Sequence, residues 1–147
     1  RAFGEWRLLQ HLHGLGLPVP TPVAAVYERR GLVYRSDLIT GHLPGTRSLA
    51  AQLQDGPVTL PLWRAVGVCM RSFHQHGIYH ADLNAHNILI DREEQVYLID
   101  FDRGAIRRPG MWIESNWSRL KRSLHKVTRA LPADRFGETE WLALRHG

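Results

Sequence analysis

The 147-residue chain has one cysteine, Cys69, so no internal disulfide staples its core, which fits a reducing cytoplasm. Lysine is nearly as scarce: of 19 basic residues only Lys121 and Lys126 are lysines. No apolar run approaches the roughly 20 residues that a membrane-spanning helix needs. No low-complexity tract points to disorder, and no internal repeat points to a solenoid. HExxH and paired CxxC motifs are absent, which removes the usual sequence marks of zinc hydrolases and zinc fingers. A glycine-rich phosphate loop is missing as well: "GLGLPV" at 14–19 lacks the third glycine and follows a helical segment.

What remains has the composition of one globular domain, with 44% hydrophobic and 22% charged residues. A net charge of +5 favours anionic partners, whether phosphate, anionic lipid or nucleic acid, without choosing among them. The sequence opens on Arg1 rather than methionine, which reads as the downstream part of a longer protein.

Periodicity organises the chain. Phe3, Trp6, Leu9 and Leu12 or His13 share a helical stripe over residues 2–13, with Glu5 beside it. Gly14 and Gly16 stop that helix, and "GLPVPTP" reads as an extended, proline-stiffened connector. Residues 23–40 predict two strands around a turn at Arg29–Gly31, and "GHLPG" is a loop. A short helix starts at Leu49. A longer one runs from Pro61 to Gln75, with Leu62, Val66, Cys69 and Phe73 on one face and Gly77 as its stop. "NILID" and "VYLID" are strands separated by the turn "REEQ", and a last helix covers about 116–130. The order predicts an α+β fold.

Two polar knots interrupt the apolar runs: "YHADLNAHNILID" at 79–91 and "YLIDFDRG" at 97–104. His74, His76, His80, Asp82 and His86 invite a zinc reading, but i and i+2 on a helix point about 200° apart, so His74 and His76 read as a solvated helix end. Asp91 is explained by a turn alone, since Asp satisfies loop backbone. Asp82, Asn87 and Asp100 are different, being each flanked by core-forming runs. Two polar loops between apolar strands bring such groups together at one end of a small sheet, and three clustered oxygens suit a hard cation such as Mg²⁺.

Phosphoryl transfer uses that set. A kinase catalytic loop needs an Asp to orient the acceptor hydroxyl, an Asn five residues on for magnesium, and a distant metal-binding Asp. Against H-R-D-L-x-x-x-N, "HADLNAHN" matches at His80, Asp82, Leu83 and Asn87, with Ala81 replacing Arg. "IDFD" supplies Asp100, 18 residues after Asp82 and at a strand end.

At these residues the sequence resembles the protein-kinase-like superfamily and, within it, the bacterial lipopolysaccharide kinases of the Kdo (3-deoxy-D-manno-octulosonic acid) type. "RAFGEWRLLQHLHGLGLPVPTPVAA", "HADLNAHNILID" and "IDFDRG" carry the likeness, which runs from Arg1 through at least Leu124. The resemblance implies a two-lobed kinase fold lacking the first strands of its N-terminal lobe. Residues 1–40 would be the remainder of the small, ATP-binding lobe, and 41–147 the hinge and a mostly helical catalytic lobe. It implies Asp82 as catalytic base, His80 as a brace of the catalytic loop and Asn84 facing the transferred phosphate. Asn87 and Asp100 would be Mg²⁺ ligands. Glu5 would pair with the ATP-binding lysine, and Gly41 and Leu43 would form the hinge that meets adenine.

The acceptor implied is a Kdo-lipid A precursor at the cytoplasmic face of the inner membrane, phosphorylated at the 4-hydroxyl of Kdo, with no obligate protein partner. A heptose or aminoglycoside type of phosphotransferase and a catalytically dead binding module remain alternatives. Ala81 removes the arginine that grips a phosphorylated activation loop, and Asp102 stands where D-F-G has glycine, which argues against a flip of that loop. Only 45 residues follow Asp102, with no A-P-E string, so a sugar or lipid acceptor fits better than a peptide. With no lysine before Lys121, Glu5 lacks its expected partner, and this stretch alone is expected to bind ATP poorly and turn over little.

The segment 116–131 carries Arg119, Lys121, Arg122, Lys126 and Arg129 and no acid. It reads as an amphipathic helix whose basic face meets an anionic membrane surface or a phosphorylated, carboxylated acceptor. A lone basic helix without a recognisable nucleic-acid motif does not point to nucleic acid.

Overall fold

The computed structural model describes residues 2–30 and 33–147, with side chains for 3–26 and 37–147. Helix α1 (Ala2–Gly14) leads into the antiparallel pair β1 (Pro22–Arg30) and β2 (Val33–Thr40). Then come β3 (Arg47–Ser48), α2 (Leu49–Asp55), α3 (Leu60–Gln75), β4 (Ile78–Tyr79), β5 (Ile88–Ile90), β6 (Val96–Leu98) and β7 (Ala105–Ile106). The chain ends in α4 (Trp112–Thr128), a 3₁₀ turn at Ala133–Arg135 and α5 (Glu138–His146). Two small antiparallel sheets, β3-β5-β6 and β4-β7, sit among the helices, as the α+β expectation requires. The turn expected at Arg29–Gly31 lies partly outside the described residues, with β1 and β2 paired from Arg30 and Val33 outward.

Local chemistry sets the helix ends. Ser48 Oγ accepts from the Ala51 N–H at 3.1 Å and starts α2, and Thr59 Oγ1 accepts from the Leu62 N–H at 3.3 Å and starts α3. Gly77, at φ +73°, ends α3 in a left-handed turn that an L side chain resists. The α1 stripe shifts from the expected one. Leu8, Leu9 and Leu12 are buried, as are Leu17 and Val19 of the connector that follows, while Phe3 is 43% exposed.

One apolar core runs through the molecule. Trp63, Val66, Met70 and Phe73 of α3 meet Leu49 and Leu53 of α2, Leu120 and Leu124 of α4, and Ile88, Ile90 and Leu98 of the sheet. Each such side chain contributes about 1.5–3 kcal/mol on burial. Cys69 belongs to this core, and burial pushes its thiol up to about 12, which keeps it unreactive. Helix α5, unanticipated from sequence, closes the core from outside. It crosses α3 at Gly67, where an added Cβ would lie 1.9 Å from the Leu144 carbonyl oxygen. Arg71 caps its end by donating Nη1 to the carbonyls of Leu144 and Arg145, each at 3.0 Å.

His74 departs from the solvated helix end. His76 is exposed and its Nδ1 donates back to the Ser72 carbonyl at 2.8 Å, but His74 is buried between Trp112 (5.5 Å) and Trp117 (5.3 Å), edge to face. The roughly 200° between i and i+2 turns one ring out and the other in. Burial pushes the His74 pKa down to about 4, with Arg145 adding to the effect and Asn116 and Glu114 opposing it.

The unfolded chain, with His74 near 6.5, therefore binds more protons than the native state between about pH 6.5 and 4. Stability is fully present above that window and falls as pH drops through it, by up to about 3 kcal/mol from this group. Urea denaturation at pH 7 and pH 4 checks this. His74→Leu should reduce the loss by about that amount, and an equal loss in both proteins would contradict the assignment.

Candidate active site

Two ribbons build the site. The chain leaves β4 into loop 80–87 and enters β5; it leaves β6 into loop 99–104 and enters β7. Because β4 pairs with β7 and β5 with β6, the two loops connect the same ribbons and run side by side. That topology makes neighbours of Asp82 and Asp100 loops separated by 18 residues in sequence.

His80 stitches them together. Its buried ring donates Nε2–H to the Ile99 carbonyl at 2.9 Å and accepts the Asp82 N–H on Nδ1 at 3.2 Å. These partners fix the neutral ring with its proton on Nε2. Burial pushes its pKa down, and Arg119 does so as well, against the Ile99 carbonyl and the Asp100 and Asp82 carboxylates, which pull it up. Behind it, buried Phe101 packs on the His80 ring at 4.9 Å and on Phe73 at 5.7 Å, anchoring the Asp100 loop in the core. Asp100 has φ +63°, a left-handed conformation that Asp tolerates better than most residues, and its Oδ1 accepts from the Asp102 N–H at 3.4 Å.

The two asparagines of loop 80–87 divide the work. Asn84 donates Nδ2–H to the Asp82 carboxylate and to the Asp82 carbonyl, both at 3.0 Å, while its Oδ1 accepts from the N–H groups of His86 (2.8 Å) and Asn87 (3.2 Å). Its amide is thus engaged within the loop. Asn87, almost fully buried, donates Nδ2–H to the Asp82 carbonyl at 2.9 Å, and its own carbonyl accepts from the Ile99 N–H at 3.0 Å. Among the described residues Asn87 Oδ1 has no hydrogen-bond partner. Asp91 does turn work, accepting from the N–H groups of Glu93 and Gln95 at 2.9 Å.

A residue passed over in sequence holds this loop from below. Asn116 of α4, 1% exposed, accepts the His80 N–H on Oδ1 at 3.3 Å and donates Nδ2–H to the His80 carbonyl at 2.9 Å. Its signal was present: Asn116 lies on the same helical face as Leu120 and Leu124, a polar residue where the stripe calls for an apolar one. Ser123 Oγ, on the next part of α4, accepts the Ala85 N–H at 3.0 Å.

The loops separate two clefts. One, of about 610 Å³, is lined by Glu5, Gly41, Leu43 and Asp100 among others, so four of the eight residues singled out in sequence meet there. Gly41 gives its N–H to the Thr21 carbonyl at 2.7 Å, and the Leu43 carbonyl accepts from Thr46 Oγ1 at 2.9 Å. The other cleft, of about 710 Å³, is lined by Asp82 and Asn84 and by Arg119, Arg122 and Lys126 of α4. Asp82 is 62% exposed, with Arg119 Nη1 3.9 Å from its Oδ1. His80 and Asn87 lie buried in the partition.

For a divalent cation the donor set is sparse and hard. Among the described residues no group of three or more His, Cys, Asp or Glu is placed to share a metal ion. Asn87 Oδ1 and the Asp100 carboxylate are side-chain oxygens of the type Mg²⁺ takes, and Mg²⁺ completes its shell with water and phosphate oxygens rather than with a protein cage. The residues present therefore fit magnesium and fit zinc poorly.

The sequence model of the lipopolysaccharide kinase (Kdo/WaaP) family matches residues 1–147. Among curated proteins, the 3-deoxy-D-manno-octulosonic acid kinase of Xanthomonas axonopodis pv. citri is 48% identical over 128 residues, covering 86% of this chain and 51% of the relative. The enzyme of the same name from Xylella fastidiosa (strain M23) is 47% identical over 128 residues, with the same two shares. That from Vibrio cholerae is 41% identical over 126 residues, covering 86% of this chain and 54% of the relative. The chain thus spans about half the length of the curated relatives it matches.

Proposed function

The chain belongs to the lipopolysaccharide kinase (Kdo/WaaP) family, and from that premise we propose that it carries the catalytic portion of an ATP-dependent Kdo kinase. The acceptor is a Kdo residue on a lipid A precursor, and the position phosphorylated is its 4-hydroxyl. The observation that supports this most is the pair of interlocked loops, which bear Asp82 toward one cleft and Asp100 toward another. A phosphotransferase needs donor and acceptor sites that adjoin, and the His80 ring ties the Asp82 segment directly to the segment that leads into Asp100.

In this reading the 610 Å³ cleft takes ATP between residues 1–40 and the hinge and catalytic lobe at 41–147 of a two-lobed kinase. Gly41 spends its N–H on Thr21, so Leu43 is the better hinge donor to adenine. Asp82, exposed and held at one oxygen by Asn84, orients the acceptor hydroxyl and takes its proton as attack proceeds. Asn84 acts chiefly by fixing that carboxylate. His80 keeps the Asp82 backbone in place through its ring. Asn87 and Asp100 would hold Mg²⁺, which when bound neutralises charge on the phosphates. Among the described residues no helix is long and apolar enough to cross a membrane, and the lipid acceptor itself would bring the protein to the cytoplasmic surface of the inner membrane.

The test is an acceptor panel given radiolabelled ATP and the full-length protein. Label should enter Kdo-lipid A in preference to heptose-bearing cores and aminoglycosides. Preferential labelling of either of the latter would reject the acceptor. Nucleotide binding without transfer to any of them would reject the enzyme in favour of a binding module.

A further inference from the structure

The cleft on the Asp82 side has a charge pattern of its own. Helix α4 supplies Arg119, Arg122 and Lys126, spaced by three and four residues and so stacked on one face. Among the described residues the only acid lining the cleft is Asp82. Arg119 is paired loosely with it, at 3.9 Å. Arg122 and Lys126 are exposed and have no ion-pair partner among the described residues. Lys121 belongs to another face of α4, where its Nζ sits 3.8 Å from Glu138 and 4.8 Å above the Trp141 ring. Of the five cations of this segment, Lys121 is thus spent on α5, Arg119, Arg122 and Lys126 turn to the Asp82 recess, and Arg129 lies just past the end of α4.

The walls of this recess are tied to the loop that bears Asp82. Ala85 donates its N–H to Ser123 of α4 at 3.0 Å, and its carbonyl accepts from the Ala50 N–H of α2 at 3.0 Å. Gln54 of α2 reaches across to the Val127 carbonyl of α4 at 3.4 Å. A group bound by Arg122 and Lys126 is thereby held at a fixed offset from Asp82. The volume of about 710 Å³ lies within the range of ligand pockets, roughly 300–1,000 Å³. A concave site of that size suits a discrete anionic sugar better than a flat lipid surface.

We infer that Arg122 and Lys126, with Arg119 nearest the reacting end, bind an anionic group of the acceptor while one of its hydroxyls meets Asp82. This rests on the kinase reading above and names the acceptor class: a sugar carrying a carboxylate or a nearby phosphate. Without these cations such an acceptor would be repelled by the Asp82 carboxylate it must approach. The same arginines and lysine make the site selective against neutral sugars, since unpaired desolvated cations would be left behind.

Equilibrium binding of micellar Kdo-lipid A to the full-length protein tests this. The double variant Arg122→Gln/Lys126→Gln should weaken binding about 100-fold, roughly tenfold for each lost charge-assisted contact, while Lys121→Gln leaves it unchanged. The methyl ester of the Kdo carboxylate and an acceptor stripped of lipid A phosphates identify the anion. The one that binds wild type as weakly as the double variant has lost it. Wild-type affinity in the double variant overturns the inference, as does no binding by the wild type. So does a loss confined to phosphatidylglycerol vesicles free of acceptor. Charge-sensitive binding with no phosphate transfer would sustain the cleft and end the kinase reading; transfer with undiminished binding in the double variant would do the reverse.

Discussion

Asp82→Ala lowers the rate of phosphate transfer by about 10³-fold, within the span that general-base residues contribute, and leaves ATP affinity and folding stability nearly unchanged. The separation follows from where the side chain sits. Asp82 is 62% exposed, its ion pair with Arg119 is long and solvated, and it opens into the cleft away from Glu5, Gly41 and Leu43. An exposed pair of that kind contributes little to stability, so removing it shifts denaturation by no more than about 0.5 kcal/mol. The backbone of the residue, which accepts from Asn84 and Asn87 and donates to His80, is untouched by the substitution. Single-turnover transfer and nucleotide titration on the same protein separate the two effects. A variant that keeps near-normal turnover would remove Asp82 from the chemistry.

Asn116→Ala should act the other way round, through the scaffold. It strips the His80 N–H and carbonyl of their partner in a site 1% exposed. An orphaned buried backbone group costs about 1–3 kcal/mol, so the variant loses about 3 kcal/mol of stability. Turnover falls as well at temperatures where it remains folded, because the segment from His80 to Asp82 is no longer clamped to α4. Denaturant titration gives the first effect, and turnover well below the melting transition the second. A change within about 0.5 kcal/mol, the scatter of surface substitutions, would mean that His80 needs no clamp.

Loop 80–87 was legible as a motif because its pattern is local: His80, Asp82 and Asn87 stand at fixed spacing, and Asp91 announces its turn by type. The start of α3 was legible for the same reason, through Pro61 in its first turn. What sequence hid was long-range. Helix α4 begins at Trp112 rather than near 116, since Met111 offers no side-chain cap to mark the start. Helix α5 has a weak apolar pattern, with Leu142 50% exposed and Leu144 buried, and it exists through Gly67 and Arg71 more than sixty residues away in the chain.

The basic helix was read as one charged face because composition cannot tell which cations a neighbouring element will claim. Glu138 and Trp141 claim Lys121, and the Asp82 recess keeps Arg119, Arg122 and Lys126. His74 was taken for a solvated residue for a related reason. Only the two tryptophans of α4 make its side of the helix an interior one.

The proposed reaction is transfer of phosphate from ATP to a Kdo hydroxyl at these two interlocked loops. Phosphorus–proton correlation NMR of Kdo-lipid A after incubation with ATP and the full-length protein tests it most directly. One new phosphate on the Kdo ring, coupled to the proton at position 4, is expected with the wild type, and none with Asp82→Ala. A phosphate on any other sugar, or an unmodified acceptor beside a fully folded enzyme with nucleotide bound, would contradict it.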